Sequence, residues 1–174
     1  MKSILTILFV LSVGITFGQV KQSIYAETGL NRVGFSSEIG YGLKRNKLRA
    51  NIGLEMYYPN IVFQKLRPGL SAGLTYQVCT FQAVNLIVGI ESAVFSEKRE
   101  NHAFSLFAPL AFVGMDVKLG EKVRLNLEVG SGIISTSVRA YTQAYEYLNK
   151  SYNYMNYEIS VGLSYQFNHS LFSK

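Results

Sequence analysis

Six glutamates recur along this 174-residue chain on an alternating face otherwise rich in glycine, serine and asparagine: Glu27, Glu38, Glu55, Glu91, Glu128 and Glu158. Arg49 and Arg124 occupy equivalent positions, with Lys118 and Lys44 as further cations in the same pattern. Carboxylates and guanidinium groups held away from water must pair or be neutralised. The chemistry these residues suggest first is an internal network of ion pairs and hydrogen bonds, with Glu38, Glu128 and Glu158 sharing Arg49 and Arg124. A gated ion or proton path would use the same side chains. Nucleophilic catalysis would need a base oriented beside a nucleophile. The two histidines do not offer one: His102 has Ser105 nearby and His169 precedes Ser170, but neither stands on an alternating segment next to a serine and a carboxylate. No catalytic residue is therefore expected, and the reading is not an enzyme. Zinc needs Cys/His clusters, and Cys79 is the single cysteine, so no metal or cofactor is expected either. Gly130-Ser131-Gly132 lacks the lysine and helix of a phosphate loop. A last candidate is a tyrosine-rich stretch, with Tyr141, Tyr145, Tyr147 and Tyr152. Tyrosines give contact area at low entropic cost, so this stretch could form a surface-recognition loop, or simply a ribbon extending the last two strands.

The elements that must position these residues are strands. After residue 20 the chain shows period-two alternation and no convincing helical period. In 33–43, Val33, Phe35, Ile39, Tyr41 and Leu43 alternate with Gly34, Ser36, Glu38, Gly40 and Gly42. In 48–58, Leu48, Ala50, Ile52, Leu54, Met56 and Tyr58 oppose Arg49, Asn51, Gly53, Glu55 and Tyr57. Similar alternation runs through 70–78, 123–129 and the last strand, which ends Tyr165-Gln166-Phe167; 23–30, 83–95 and 106–119 alternate less cleanly, the last beginning ambiguously around Pro109. That makes eight strands, with an irregularity expected at Pro109. Connections at 44–47, 79–82 and 120–122 are short, and those at 57–67, 96–105 and 135–152 are expected to be long loops. Short turns at one end and long loops at the other is the layout of outer-membrane barrels.

The first residues support export. Met1-Lys2-Ser3, an apolar run from Ile4 to Phe17 and the exit Gly18-Gln19 read as a signal peptide over residues 1–18. The run is shorter than the roughly 20 residues of a membrane-spanning helix. Residues 19–174 then form one domain. The net charge of +6, or +5 without Lys2, would suit nucleic acid, but an export signal argues against that, and anionic lipid is the better partner.

Alternation alone suits a soluble ligand-binding barrel in the periplasm as well. The size of the two faces decides. An eight-stranded barrel is just wide enough inside for side chains to fill it, so large aliphatics on every strand would overcrowd it. Glycine, serine, asparagine and glutamate fit inside; leucine, isoleucine, valine and the aromatics face lipid. Phe35, Tyr41, Tyr58, Tyr76, Tyr157, Tyr165 and Phe167 near strand ends suggest two interfacial girdles. The signal ending Phe17-Gly18-Gln19, the glycine-alternating strands and the closing Tyr165-Gln166-Phe167 resemble the small outer-membrane β-barrel domain proteins common in Bacteroidota. That resemblance implies an all-β, eight-stranded antiparallel up-and-down transmembrane barrel in the outer membrane of a Gram-negative cell. It would be a monomer, porin-like in architecture but with its lumen plugged, serving a structural or surface-interaction role. Its partners would be outer-membrane lipid and an extracellular or envelope protein met through the loops. A lipid-modifying outer-membrane enzyme is the alternative among barrels.

Overall fold

The computed structural model describes residues 20–32, 34–58, 66–99, 102–141 and 147–167. The signal segment over residues 1–18 lies outside them. The described residues form eight strands: β1 (Lys21–Asn31), β2 (Gly34–Arg45), β3 (Leu48–Tyr57), β4 (Arg67–Phe81), β5 (Val84–Arg99), β6 (His102–Lys118), β7 (Val123–Tyr141) and β8 (Tyr147–Phe167). Each pairs antiparallel with the next, and β8 pairs with β1, so the sheet closes. Partners followed from Lys21 run through Lys44, Arg49, Thr75, Gly89, Phe112, Gly130 and Glu158 and return to β1 at Asn31, ten residues on. That stagger is the shear a closed barrel requires, and it tilts the strands against the axis.

Alternation decides which way each side chain points. Ile24, Ile39, Ile52, Leu70, Ile90, Val113, Val129 and Ile159 stand outside and are exposed, whereas Ser23, Asn85, Asn126, Asn156, Ser160 and Ser164 are buried inside. This polarity is the inverse of a barrel built for water and suits one surrounded by lipid. Among the described residues no helix is long and apolar enough to cross a membrane. Aromatics collect at two levels of the outer surface. Near the turns Tyr41 lies 6.4 Å from Phe167, which is 6.5 Å from Tyr165; at the other end Phe35 lies 5.2 Å from Tyr58.

Three turns are tight, at Asn46-Lys47, Gln82-Ala83 and around Gly120. Asn46 and Gln82 take positive φ there, 54° and 51°. The other end differs from the sequence reading. Residues 96–105 and 135–152 are not long loops: β5 and β6 run to Arg99 and from His102, and β7 and β8 pair out to Tyr141 and Tyr147. Of the third expected loop, 57–67, residues 59–65 lie outside the described residues. A tilted strand crosses a bilayer in about 9–11 residues. β3 has 10 and β7 has 19, so the β7–β8 ribbon stands well beyond the rim while the β1–β2 hairpin stays low. Cys79 lies near the end of β4, beside a bulge between Gln77 and Cys79 and close to the Gln82-Ala83 turn. The irregularity at Pro109 is present as a break in the β6–β7 ladder: partners are formed by Phe107 and Leu110 but by neither residue between them. Proline has no N–H to give the ladder.

Candidate functional site

The lumen is filled in three layers, and each follows from the inward half of the alternation. At the turn end a single chain of side-chain bonds crosses five strands. Lys44 Nζ donates to Gln77 Oε1 at 2.7 Å; Gln77 Nε2 donates to Thr80 Oγ1 at 2.6 Å and to Asn85 Oδ1 at 3.0 Å. Asn85 Nδ2 donates to Asp116 Oδ2 at 3.4 Å. Arg124 Nη1 closes the chain on both oxygens of Asp116, at 3.1 and 3.0 Å. This is where the structure corrects the sequence reading. Arg124 does not join Glu38, Glu128 and Glu158 but pairs with Asp116. Both stand close to the same tight turn, at a lower level than the glutamates. Lys118 lies on the inward side but is exposed at the mouth.

Above this lies the glutamate layer, with Glu27, Glu38, Glu55, Glu91, Glu128 and Glu158 all directed inward and at least partly buried. Arg49 Nη2 reaches Glu128 Oε1 at 3.8 Å, with both residues largely buried. The Tyr25 hydroxyl donates to Glu38, and Asn31 Nδ2 donates to Glu158 Oε2 at 3.4 Å. Glu55 is 4% exposed, and its Oε2 has no hydrogen-bond partner among the described residues. Two glycines make this packing possible. A side-chain carbon on Gly40 would collide with the Tyr25 ring, and one on Gly53 with the Glu38 carboxylate. Glycine on the inward face is thus a socket for a long neighbour from the adjacent strand.

The third layer, towards the tall end, is apolar. Tyr57, Ala93, Phe95, Leu106, Ala108 and Ile134 form one buried cluster with Phe104 packed against it. Tyr57 and Phe95 meet edge to face, centroids 4.4 Å apart at 86°, a geometry worth roughly 0.5–1.5 kcal/mol beyond area burial. The sequence reading expected small and polar residues throughout the lumen and missed this plug. Residues such as Leu106 and Ile134 sit beside outward Phe107 and Ile133, so the polar half of the alternation vanishes there.

Of the surface candidates, Tyr152 is exposed and stacks on Tyr154 at 6.2 Å and 16°. Arg32 lies 5.4 Å over the Tyr154 ring and donates from Nη1 to Met155 O at 3.1 Å. Tyr141 and Tyr147 face each other across the ribbon tip as backbone partners. Their side chains, and Tyr145 altogether, lie outside the described residues, as do the His102 side chain, His169 and Ser170. Among the described residues no three His, Cys, Asp or Glu side chains are grouped to hold a metal ion.

No known sequence family matches the chain, and no curated protein does. Solved structures do resemble it. Outer membrane protein AlkL, determined in DMPC lipid bilayers, is 15% identical with a TM-score of 0.56, over 90% of this chain and 93% of that one. Neisserial surface protein A is 16% identical with a TM-score of 0.53, over 85% and 96%. A major outer membrane protein from Thermus thermophilus is 13% identical with a TM-score of 0.53, over 85% and 99%. The fold is that of an outer-membrane β-barrel. At these identities the likeness extends to the fold and no further. It shows neither the Bacteroidota affiliation nor any shared ligand, so the activity has to be argued from this barrel's own surfaces.

Proposed function

We propose that this chain is a small outer-membrane protein of the kind common in Bacteroidota. It is exported by a signal peptide over residues 1–18, stands in lipid as a closed barrel, and serves a structural or surface-interaction role through its β7–β8 ribbon. The observation that carries this reading is the filled lumen inside an apolar wall. The glutamate layer with Arg49 and Tyr25 fills the middle of the lumen and an aromatic plug closes the tall end, which disfavours bulk passage. What remains accessible is the outside: lipid around the wall, and the exposed Tyr152–Tyr154 stack with Arg32 beside it. Partners through that ribbon would be an extracellular or envelope protein, and the barrel itself would be a monomer. No residue arrangement described above favours lipid modification.

The test is fractionation with heat-modifiable gel migration, combined with one charge on the wall. The wild-type protein is expected in the outer-membrane fraction, migrating differently before and after boiling. Ile39 lies midway along β2 and is 64% exposed on the outward face. Ile39→Arg should destabilise a lipid-embedded barrel by about 2–4 kcal/mol, the cost of arginine near the bilayer midplane. A soluble periplasmic barrel would accept arginine at so exposed a position with little change, and that outcome would sink the membrane reading.

A separate expectation concerns the ribbon. Removing residues 138–150 and joining Ser137 to Ser151, which are cross-strand partners, through an Asn-Gly turn should leave the heat-modifiable barrel intact. Surface contacts that survive this truncation are expected to be lost on Tyr152→Ala with Tyr154→Ala, which removes the stack beside Arg32; contacts unchanged by both would place recognition elsewhere.

A further inference from the structure

The glutamates are concentrated halfway up the lumen, but the turn-side mouth is cationic. A cavity of about 430 Å³ opens there, lined by Lys21, Lys44, Arg124 and the amides of Asn46, Gln77, Asn85 and Gln166. Among the described residues no carboxylate lines it. The nearest described carboxylate bonded to a lining cation, Asp116, is turned to Arg124 Nη1 and neutralises one of three positive charges. Two of the cations are held in place: Lys44 by Gln77 Oε1, and Arg124 by Asp116. An ammonium carries three donors and a guanidinium five, so each keeps donors for a ligand after these bonds. Lys21 is exposed at the entrance. Above the cavity the Arg49–Glu128 and Tyr25–Glu38 pairs block the lumen. The cavity is thus a blind vestibule rather than part of a path.

We propose that this vestibule is an oxyanion-binding site, taking a phosphate or carboxylate group between Lys21, Lys44 and Arg124. Three convergent cations in a partly enclosed space attract an anion far more than the same charges would on an open surface. The amide of Gln166 supplies directional hydrogen bonding around the charged centre, while Gln77, whose two N–H groups go to Thr80 and Asn85, holds Lys44 in place. The volume lies in the lower part of the range for small-molecule sites. It therefore admits the charged group together with some of the molecule bearing it. The lumen's organisation gives the site a clear exclusion rule: an anion that moved deeper would meet six glutamates, so it stays at the mouth. That the mouth faces the periplasm rests on the outer-membrane reading, in which the short turns are periplasmic; the binding chemistry does not.

The experiment is calorimetric titration of the folded protein in detergent micelles with inorganic phosphate, and separately with acetate, at fixed ionic strength. Saturable binding of one or both is expected. Lys44→Gln combined with Lys21→Gln should weaken it roughly tenfold or more, as the loss of charge-assisted bonds implies. Lys150→Gln, on the ribbon at the opposite end, should not change it. Retained heat-modifiable migration shows that the double variant still folds. Absence of saturable binding by either anion overturns the proposal, and so does equal binding by the double variant. Anionic lipid that displaces the phosphate identifies the bound group as a headgroup; no displacement identifies a soluble solute, and the site stands in both cases. Sidedness is read separately in a Cys79→Ser background carrying Lys47→Cys, which is exposed in the same turn but does not line the cavity. Labelling by an impermeant maleimide only after the outer membrane is permeabilised agrees with a periplasmic mouth. Labelling in intact cells, with anion binding intact in micelles, would overturn the orientation and leave the site standing.

Discussion

Replacing Arg49 with methionine should destabilise the barrel by about 3–5 kcal/mol, the usual result of removing one member of a buried ion pair. The reason is not that the pair itself is strong. At 3.8 Å between Arg49 Nη2 and Glu128 Oε1 it is long, and a buried pair often gains little net stability over an apolar substitute. The cost comes from what is left behind. Glu128 is 8% exposed, and Glu27, Glu38 and Glu158 share its layer. Without Arg49 that layer holds carboxylates with no guanidinium among the described residues. Denaturant unfolding in lipid vesicles, followed by the heat-modifiable gel shift, measures the loss. The double variant Arg49→Met with Glu128→Gln should recover a substantial part of it. If the double variant is as unstable as the sum of the two single changes, the two residues are not coupled and the layer is held by something else.

Phe95→Ala is expected to cost a similar amount, about 3–5 kcal/mol, by a different route. Phe95 is 4% exposed, packs edge-on against Tyr57 and rests over Gly69, where a side-chain carbon would collide with its ring. Deleting the ring leaves a void that rigid strands cannot close. It also thins the apolar plug at the tall end of the lumen. Solute entry into proteoliposomes, measured by swelling, should remain at the lipid background, because the glutamate layer and the turn-side bonds still block the lumen. Swelling that rises in Phe95→Ala alone would show that the aromatic plug, rather than the charged layers, is the barrier.

Most of the architecture was legible because the two faces of each strand differ in size as well as polarity. Gly34, Ser36, Glu38, Gly40 and Gly42 could only point into a narrow lumen, and β2 does point them there. The stretches that were not legible share a physical cause. Beyond the lipid the outward face is free to be polar, so Ser135, Thr136 and Ser137 show no alternation although they are strand. Inside the plug the inward face is apolar, so Val94-Phe95 and Leu106-Phe107 show none either. The site was legible in direction but not in height. Sequence could assign Arg124 and Glu128 to one face of β7. It could not show that Arg124 stands low enough to meet Asp116, because that depends on the register between β6 and β7, which pairs Lys118 with Arg124 and Asp116 with Asn126. Gln77 and Asn85, which complete the turn-side chain, carried no signal beyond being polar on an inward face.

The unequal strand lengths have one more consequence. A cylinder has no front, but this one does. The wall is low where β1 and β2 turn at Asn31–Gly34 and high where β7 and β8 run on to Tyr141 and Tyr147. An object arriving from outside meets a screen at β7–β8 and, directly beside it, an open sill at β1–β2. Whatever touches the Tyr152–Tyr154 stack must approach across the sill beside Arg32. The barrel's rotation about its own axis therefore decides which neighbour it can engage, and it presents a compass bearing within the plane of the membrane.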